Sequence, residues 1–401
     1  MISLEVPRKF KPFVNQSHQL AAEMFRQISR KYDRAEHSYP RELDLLAALA
    51  DGMNEATGGT AGAAATRRES GGEPGVRNGA NLRTVLSIIE LCWGDVGLLL
   101  SIPRQGLGNA ALAAVANEEQ LKRFAGRWVA MAITEPAAGS DSAAIRTTAT
   151  RDGDHYVLNG EKIFVTAGGR CDAVVVWATL DRNLGRAAIK SFLVEKGTEG
   201  MVVERLEHKL GIRSSDTATI RLTNCRVPRD NLLGSPEVDT QKGFGGVMQT
   251  FDNTRPLVAA MAVGVARAAL DETRERLKQA GIEVDYRQPF RNGAASAAAL
   301  GAMEADWEAA RLLTLRAAWM ADNGKPNSLQ ASMAKAKAGR TAVDITLRCV
   351  ELCGALGYSE DGLLEKWARD SKILDIFEGT QQIQLLIIAR QLLGKSSAEL
   401  R

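Results

Sequence analysis

His155-Tyr156-Val157-Leu158-Asn159-Gly160-Glu161-Lys162-Ile163-Phe164-Val165 alternates in the manner of a half-buried strand, and it interrupts a chain that is otherwise helical in pattern. Asp152-Gly153-Asp154 stands before it as a turn, and Asn159-Gly160 is a second turn signal within it. The same texture returns at Ala173–Thr179, Ile189–Glu195 and Thr217–Thr223, with Gly197 among the punctuating residues. Short β-rich runs separated by turn residues predict a small β domain. It opens near Trp128 and closes near Val227-Pro228-Arg229-Asp230-Asn231.

On both sides of this domain the period changes to that of a helix. Upstream, Leu20, Met24, Ile28, Leu43, Leu46 and Leu49 keep helical spacing within residues 1–56. Leu82–Leu100 and Asn109–Phe124 read as two further helices. Between them and the N-terminal helices lies Thr57–Asn81, rich in Gly and Ala with Arg67, Arg68 and Glu69 embedded. So little apolar surface predicts a mobile loop. Downstream, from Gly243, Ala259–Lys278 reads as one helix. Leu300, Met303, Trp307, Ala310, Leu313, Ala317 and Met320 form an apolar stripe on another. Ser328–Cys353 and Ile383–Leu393 complete a bundle. Such stripes are core or subunit contact. The expected architecture is mainly α with a β domain: an N-terminal helical domain (1–126), a central β domain (127–235) and a C-terminal four-helix-bundle-like domain (236–401).

Composition narrows the function. A chain of 401 residues can bury one large core or two to three ordinary ones. The net charge of +3 is scattered, so no basic stripe for nucleic acid exists. Met1–Asn15 has no apolar secretory core, and no run of 18 apolar residues predicts a membrane span. The five cysteines (92, 171, 225, 349, 353) are odd in number and scattered, which fits reduced thiols in the cytoplasm, and Cys349 and Cys353 share a helical face. The four histidines (18, 37, 155, 208) have no ligand-spaced partner; core packing is expected of them, and no metal.

The chemistry concentrates near the C-terminus, in Phe377-Glu378-Gly379-Thr380-Gln381-Gln382-Ile383-Gln384. One carboxylate stands before a Gly-Thr turn at the mouth of an apolar helix. In apolar surroundings its pKa rises, and it can act as a general base near neutral pH. The glycine permits close approach, and free N–H groups at a helix start suit a phosphate. An N-capped helix with a surface Glu is the plainer reading of the same run. Two more segments bear on the choice: Ala132-Ile133-Thr134-Glu135-Pro136-Ala137-Ala138-Gly139-Ser140-Asp141, and Asn159–Gly169.

Taken in order, these three segments resemble the signatures of the acyl-CoA dehydrogenase family of FAD-dependent enzymes, the medium-chain branch in particular, over roughly residues 85–395. The resemblance implies two helical domains around a β barrel-like domain, in a tetramer built as a dimer of dimers. The reaction implied is α,β-dehydrogenation of an acyl-CoA thioester to the trans-2-enoyl-CoA, within fatty acid β-oxidation. A base takes the α-proton, the β-hydrogen leaves as hydride to flavin N5, and an electron-transfer flavoprotein accepts the electrons. Glu378 is the implied base. The family's alternative base position falls in Phe251-Asp252-Asn253-Thr254-Arg255-Pro256, where Thr254 cannot serve.

By the same resemblance, Ile133, Thr134, Phe164 and Thr166 contact the flavin ring, and Gly139 and Ser140 form a turn between cofactor and substrate. Thr380 and Gln382 hold the FAD phosphates and adenine. Phe251, Asp252, Arg255, Phe377, Gly379 and Ser140 face the acyl-CoA. Arg213 and Thr217 belong to a loop near the cofactor. Arg287-Gln288-Pro289-Phe290-Arg291 and Glu351-Leu352-Cys353-Gly354-Ala355-Leu356-Gly357 match motifs that reach FAD across a subunit boundary, so Arg287, Phe290, Glu351, Gly354 and Ala355 are cofactor candidates. Both motifs depart from the family pattern: Arg291 replaces a Gly and Glu351 replaces a Gln. These departures leave room for a mixed tetramer, with this chain as one of two subunit types. A same-fold flavin oxidase or monooxygenase is the other alternative.

Overall fold

Strand Ala173–Thr179 (β4) is buried along its whole length, and it organises the central domain. Ala173, Val175 and Trp177 enter an apolar layer with Leu112, Phe124, Val129 and Leu193. Val174, Val176 and Ala178 enter a second layer with Leu158, Phe192 and Ile220. A strand covered on both faces needs an unbroken apolar run, which is what this sequence supplies. The computed structural model describes residues 6–48, 78–104, 106–238, 245–289, 292–396 and 399, excepting the side chains of 245–253.

Among the described residues, seven strands form one curled sheet: β1 (Val129–Ala132), β2 (Thr148–Asp152), β3 (His155–Thr166), β4, β5 (Ile189–Glu195), β6 (Met201–Leu206) and β7 (Thr217–Pro228). The order runs β1-β4-β2-β3-β7-β6, with β5 antiparallel to β4 and β1 parallel to it. The four strands expected from alternation are all present. Three more escaped it: β1 is only four residues long, and β2 and β6 are mostly solvent-facing and carry little apolar signal. The β3–β7 pair shifts register between Leu158 and Gly160, and again between Lys162 and Val165. The second shift re-aims Phe164.

Around the sheet lie α1 (Lys11–Leu20), α2 (Arg26–Arg34), α3 (Ala80–Gly94), α4 (Val96–Leu99), α5 (Leu107–Val115) and α6 (Glu118–Arg123), with a further helical stretch at 42–48. The single helix expected over Asn109–Phe124 is two. Asn117 breaks it by capping α6: its side chain accepts from Gln120 N, while the Gln120 side chain accepts from Asn117 N. Of the expected loop Thr57–Asn81, residues 57–77 lie outside the described residues. At its end, the Asp322 carboxylate accepts from Gly79, Asn81 and Leu82 N at 2.8–3.0 Å and so caps α3 from another helix.

The C-terminal bundle comprises α7 (Gly245–Gln279), α8 (Ala295–Asp322), α9 (Ser328–Tyr358), α10 (Leu364–Leu374) and α11 (Gln381–Leu393). Helix α7 runs through Pro256 rather than starting after it; the missing N–H deletes one hydrogen bond and the helix continues. Its Ala- and Val-rich face is core, and Gly264 lets α3 approach: a Cβ there would lie 2.4 Å from Ile89 O. The α8 stripe packs into the same core. The histidines depart from expectation: none is buried, and His208 is exposed. All five cysteines are free thiols, four of them buried.

A buried ionic joint ties the three regions together. Lys366 Nζ on α10 lies 2.7 Å from Asp95 Oδ2 and 2.5 Å from Asp370 Oδ2. Asp370 Oδ1 accepts from Ile212 N of the β domain, and Asp95 accepts from Ser29 Oγ of α2. Among the described residues, no helix is long and apolar enough to cross a membrane.

Candidate active site

The turn between α10 and α11 places two successive residues in the left-handed region, Glu378 at φ 58° and Gly379 at φ 89°. The second is free for glycine; the first costs on the order of 1–3 kcal/mol for a non-glycine residue. Three side chains hold the turn. Gln384 Nε2 donates to Glu378 O and Gly379 O, both at 3.1 Å. Lys335 Nζ, from the buried face of α9, donates to Gly379 O at 2.7 Å. Thr380 caps α11 by accepting from Ile383 N at 3.3 Å.

The Glu378 side chain is half-buried, and its Oε2 accepts from Thr254 Oγ1 at 2.9 Å. Burial raises the Glu378 pKa above the ordinary glutamate value, against the pull of the Thr254 hydroxyl and the charges of Arg255 and Lys335. The carboxylate therefore has enhanced basicity, a fixed orientation and two cations nearby. Thr254 sits where the sequence placed the unused base position; in the fold it is the hydrogen-bond donor to the base candidate. Arg255 is buried beside it on α7. The side chains of Phe251 and Asp252 lie outside the described residues.

A second group gathers on the sheet. Phe164, at φ 56° on the β3 bulge, has a 61 % exposed side chain. Ile133 is buried and Thr134 half-buried, and Thr134 O accepts from Ile163 N at 2.9 Å. Glu135 and Lys162 lock these segments together from beneath. Lys162 Nζ lies 2.8 Å from Glu135 Oε1 and 3.2 Å from Ile133 O. Thr166 ends β3 half-buried, opposite Thr217. Gly139 and Ser140 are exposed just past a turn closed by Glu135 and Ala138.

The loop 209–217 joins the two groups. Asp216 O accepts from Ala167 N at 3.0 Å, and Ile212 N donates to Asp370 on α10 at 2.5 Å. Arg213 is held by its own loop, its Nε donating to Lys209 O at 2.9 Å.

Comparison with known proteins decides what these groups belong to. Residues 241–393 match the acyl-CoA dehydrogenase C-terminal domain, and residues 130–225 match the middle domain of the same family. A short-chain-specific acyl-CoA dehydrogenase from Clostridium acetobutylicum is 36% identical over 328 residues, covering 79% of this chain and 84% of that protein. The chain belongs to the acyl-CoA dehydrogenase family. The cyclohex-1-ene-1-carbonyl-CoA dehydrogenase of Geobacter metallireducens is 40% identical over 280 residues, 69% of this chain and 72% of that one. The butyryl-CoA dehydrogenase structure from Megasphaera elsdenii superposes with a TM-score of 0.82 at 30% identity, covering 98% of this chain and 100% of that one.

As an acyl-CoA dehydrogenase family member, the chain is an FAD-dependent oxidoreductase. Its residues fit that cofactor. Phe164 presents an aromatic ring to solvent from a strained backbone, which a stacked ligand would cover. A Cβ at Gly139 would meet nothing within 4 Å, so open space lies beside that turn. The amide oxygens of Gln381 and Gln384, at the start of α11, are buried without a donor. A bound ligand with N–H or O–H groups would satisfy them.

Not every candidate joins these two groups. Gln382 is exposed on α11. Phe377 is half-buried and packs toward the helical core. Arg287 is exposed and paired with Asp285 at 2.9 Å, and Phe290 lies outside the described residues. Glu351 is exposed and paired with Arg348 at 2.5 Å, while Gly354 and Ala355 are exposed at a kink where Gly354 takes φ 55°. Sequence reading missed Lys335, Gln384 and the Glu135–Lys162 pair. The one available signal for Lys335 was a lysine on the apolar side of Ala331-Ser332-Met333-Ala334-Lys335.

Proposed function

We propose that the protein catalyses α,β-dehydrogenation of an acyl-CoA thioester, with Glu378 as the general base. The observation that carries this is the half-buried Glu378 carboxylate, raised in proton affinity, oriented by Thr254 and held on a strained turn. Glu378 takes the α-proton onto a carboxylate oxygen, while Thr254 keeps the other oxygen fixed. The Glu378 backbone N–H faces the thioester carbonyl and stabilises the negative charge that develops there. FAD, when bound, accepts the β-hydrogen with its electron pair. Ile133, Thr134, Phe164 and Thr166 line the ring, and Gly139 and Ser140 flank the pyrophosphate. Thr380 and Gln382 support the phosphates at the start of α11. Arg255, Phe251, Asp252, Phe377, Gly379 and Ser140 receive the acyl-CoA.

The exposed Arg287, Glu351, Gly354 and Ala355, with Phe290, reach the cofactor of a neighbouring subunit, which requires a tetramer of this chain or a mixed one. The three expected domains, 1–126, 127–235 and 236–401, are retained in this reading, as are an electron-transfer flavoprotein as acceptor and a cytoplasmic location.

The test is an anaerobic titration of the purified protein with saturated acyl-CoA thioesters of graded length and branching, followed by flavin absorbance. Bleaching in the wild type and none in Glu378→Gln, with FAD retained in both, is the expected result. A Glu378→Gln variant that bleaches at the wild-type rate removes Glu378 from the mechanism.

A further inference from the structure

Lys335 is buried, yet among the described residues its only neutral anchor is one carbonyl, Gly379 O at 2.7 Å. Gln384 Nε2 already donates to that same carbonyl at 3.1 Å. A neutral side chain would therefore suffice to hold the turn, and burying an ammonium for this purpose alone is costly. The charge needs its own account. The anions facing Lys335 are Asp375, at the end of α10, and Glu378; Arg255 of α7 opposes it as a like charge. Asp375 also meets Arg340 Nη2 at 3.2 Å and Lys372 Nζ at 3.7 Å, both from side chains that are about half-exposed. Lys335 thus serves both carboxylates, and Glu378 is the one carried on the turn that Lys335 also tethers through Gly379 O.

We propose that Lys335 is a positioning residue for Glu378: its ammonium pins the Glu378–Gly379 turn and supplies a fixed positive charge against which the carboxylate ionises. This rests on the reading of Glu378 as base and deepens it. The groups that set Glu378 are then Thr254 and Arg255 from α7, Lys335 from α9, and the neutral Gln384 from α11. Burial pushes the Lys335 pKa down to about 8, while Asp375 and Glu378 hold it up, so the ammonium is charged at and below neutral pH. Its charge opposes the effect of burial on Glu378. Without it, Glu378 would remain protonated to a higher pH and fewer molecules would hold the base in its active form.

The test is a direct titration of Glu378 in the full-length, FAD-loaded protein without substrate. Infrared difference spectra across pH follow the protonated carboxyl band, assigned by its loss in Glu378→Gln. Lys335→Met and Lys335→Gln should each move the Glu378 midpoint upward by about one pH unit, a roughly tenfold change in the ionisation constant. The acid limb of the flavin-reduction rate should move with it. Lys335→Gln retains an N–H donor for Gly379 O, so it separates charge from tether and stands in if the Met variant does not fold. A midpoint that stays in place or falls, with the turnover rate merely scaled down, overturns the proposal. Because the infrared midpoint is read without acyl-CoA, absence of flavin reduction in the wild type would refute the base assignment separately.

Discussion

Lys162→Met should cost about 3–4 kcal/mol of stability and loosen the segments that carry Ile133, Thr134 and Phe164 together. Lys162 is fully buried and Glu135 nearly so, with Nζ 2.8 Å from Oε1. Removing one partner of a buried pair typically costs about 3–5 kcal/mol, because the other charge is left behind. Here Glu135 keeps three donors: Thr147 N at 2.9 Å, Thr147 Oγ1 at 2.6 Å and Arg146 N at 2.6 Å. These place the stranded-charge cost near the low end, about 3 kcal/mol. Loss of the bond to Ile133 O adds up to about 1 kcal/mol. Glu135→Gln strands the ammonium instead and should cost about 3 kcal/mol. The double variant strands neither charge and should cost well under the sum, with a coupling of about 2–3 kcal/mol. Urea unfolding followed by the fluorescence of Trp128 and Trp177, both packed in the sheet layers, measures all three.

The pH dependence gives an independent check. Burial opposes the Glu135 charge, but the Lys162 charge and the hydrogen bonds from Lys162, Thr147 and Arg146 N outweigh it and hold the carboxyl below its ordinary pKa. Glu135 therefore contributes stability that is present above the ordinary glutamate pKa and lost as pH falls through the folded value. Lys162→Met removes the largest of those pulls, so its acid-unfolding midpoint should move to higher pH. A cost below about 1 kcal/mol, or strict additivity in the double variant, would refute the account of a stranded charge.

Three further outcomes follow from the same geometry. Because the folded pKa of Glu378 is raised, stability present below the ordinary glutamate pKa is lost as pH rises through the folded value; Glu378→Gln should therefore melt higher than wild type on the alkaline side of that transition and equally in acid, by scanning calorimetry. Gly379→Ala combines a φ of 89° with a Cβ only 2.4 Å from Gln384 Nε2. It should cost about 2–3 kcal/mol and slow flavin reduction, seen by thermal melting and anaerobic stopped flow. Asp95→Asn leaves Lys366 with Asp370 alone and should cost about 3 kcal/mol in urea unfolding, with faster amide exchange at Ile212, whose N–H bonds the adjoining carboxylate.

What was legible in the chain was local. β4 declares itself because both faces are buried and every residue from Ala173 to Ala178 is apolar. β6 does not, because its side chains are mostly solvent-facing and carry no core pattern. The helix read over Ala259–Lys278 is longer in the structure, because packing of the long Ala-rich face of α7 carries it across Pro256. At the site, Glu378 could be singled out because its neighbours in sequence, Gly379 and Thr380, describe its turn. Lys335 and Thr254 lie 43 and 124 positions away in sequence, and nothing local marks either as a partner of that turn. Departures such as Glu351 were equally visible, and that side chain lies at the surface with Arg348.

Two strained residues and two buried lysines account for much of how this site is built. Glu378 and Phe164 both sit at positive φ. Such conformations persist only where surrounding contacts exclude the relaxed alternative. At Glu378 the excluding contacts are Gln384 and Lys335 on the carbonyls of the turn. At Phe164 they are the β3–β7 bulge and Lys162, two residues upstream, which grips Ile133 O and Glu135. Lysine suits this task because its long stem crosses an apolar layer and its head bonds a backbone carbonyl while carrying charge. A hydroxyl or amide could make the same hydrogen bond but would leave the neighbouring carboxylate uncompensated. The two lysines thus differ from the other buried donors in one respect: removing either should alter both where a functional side chain points and how a nearby carboxylate ionises.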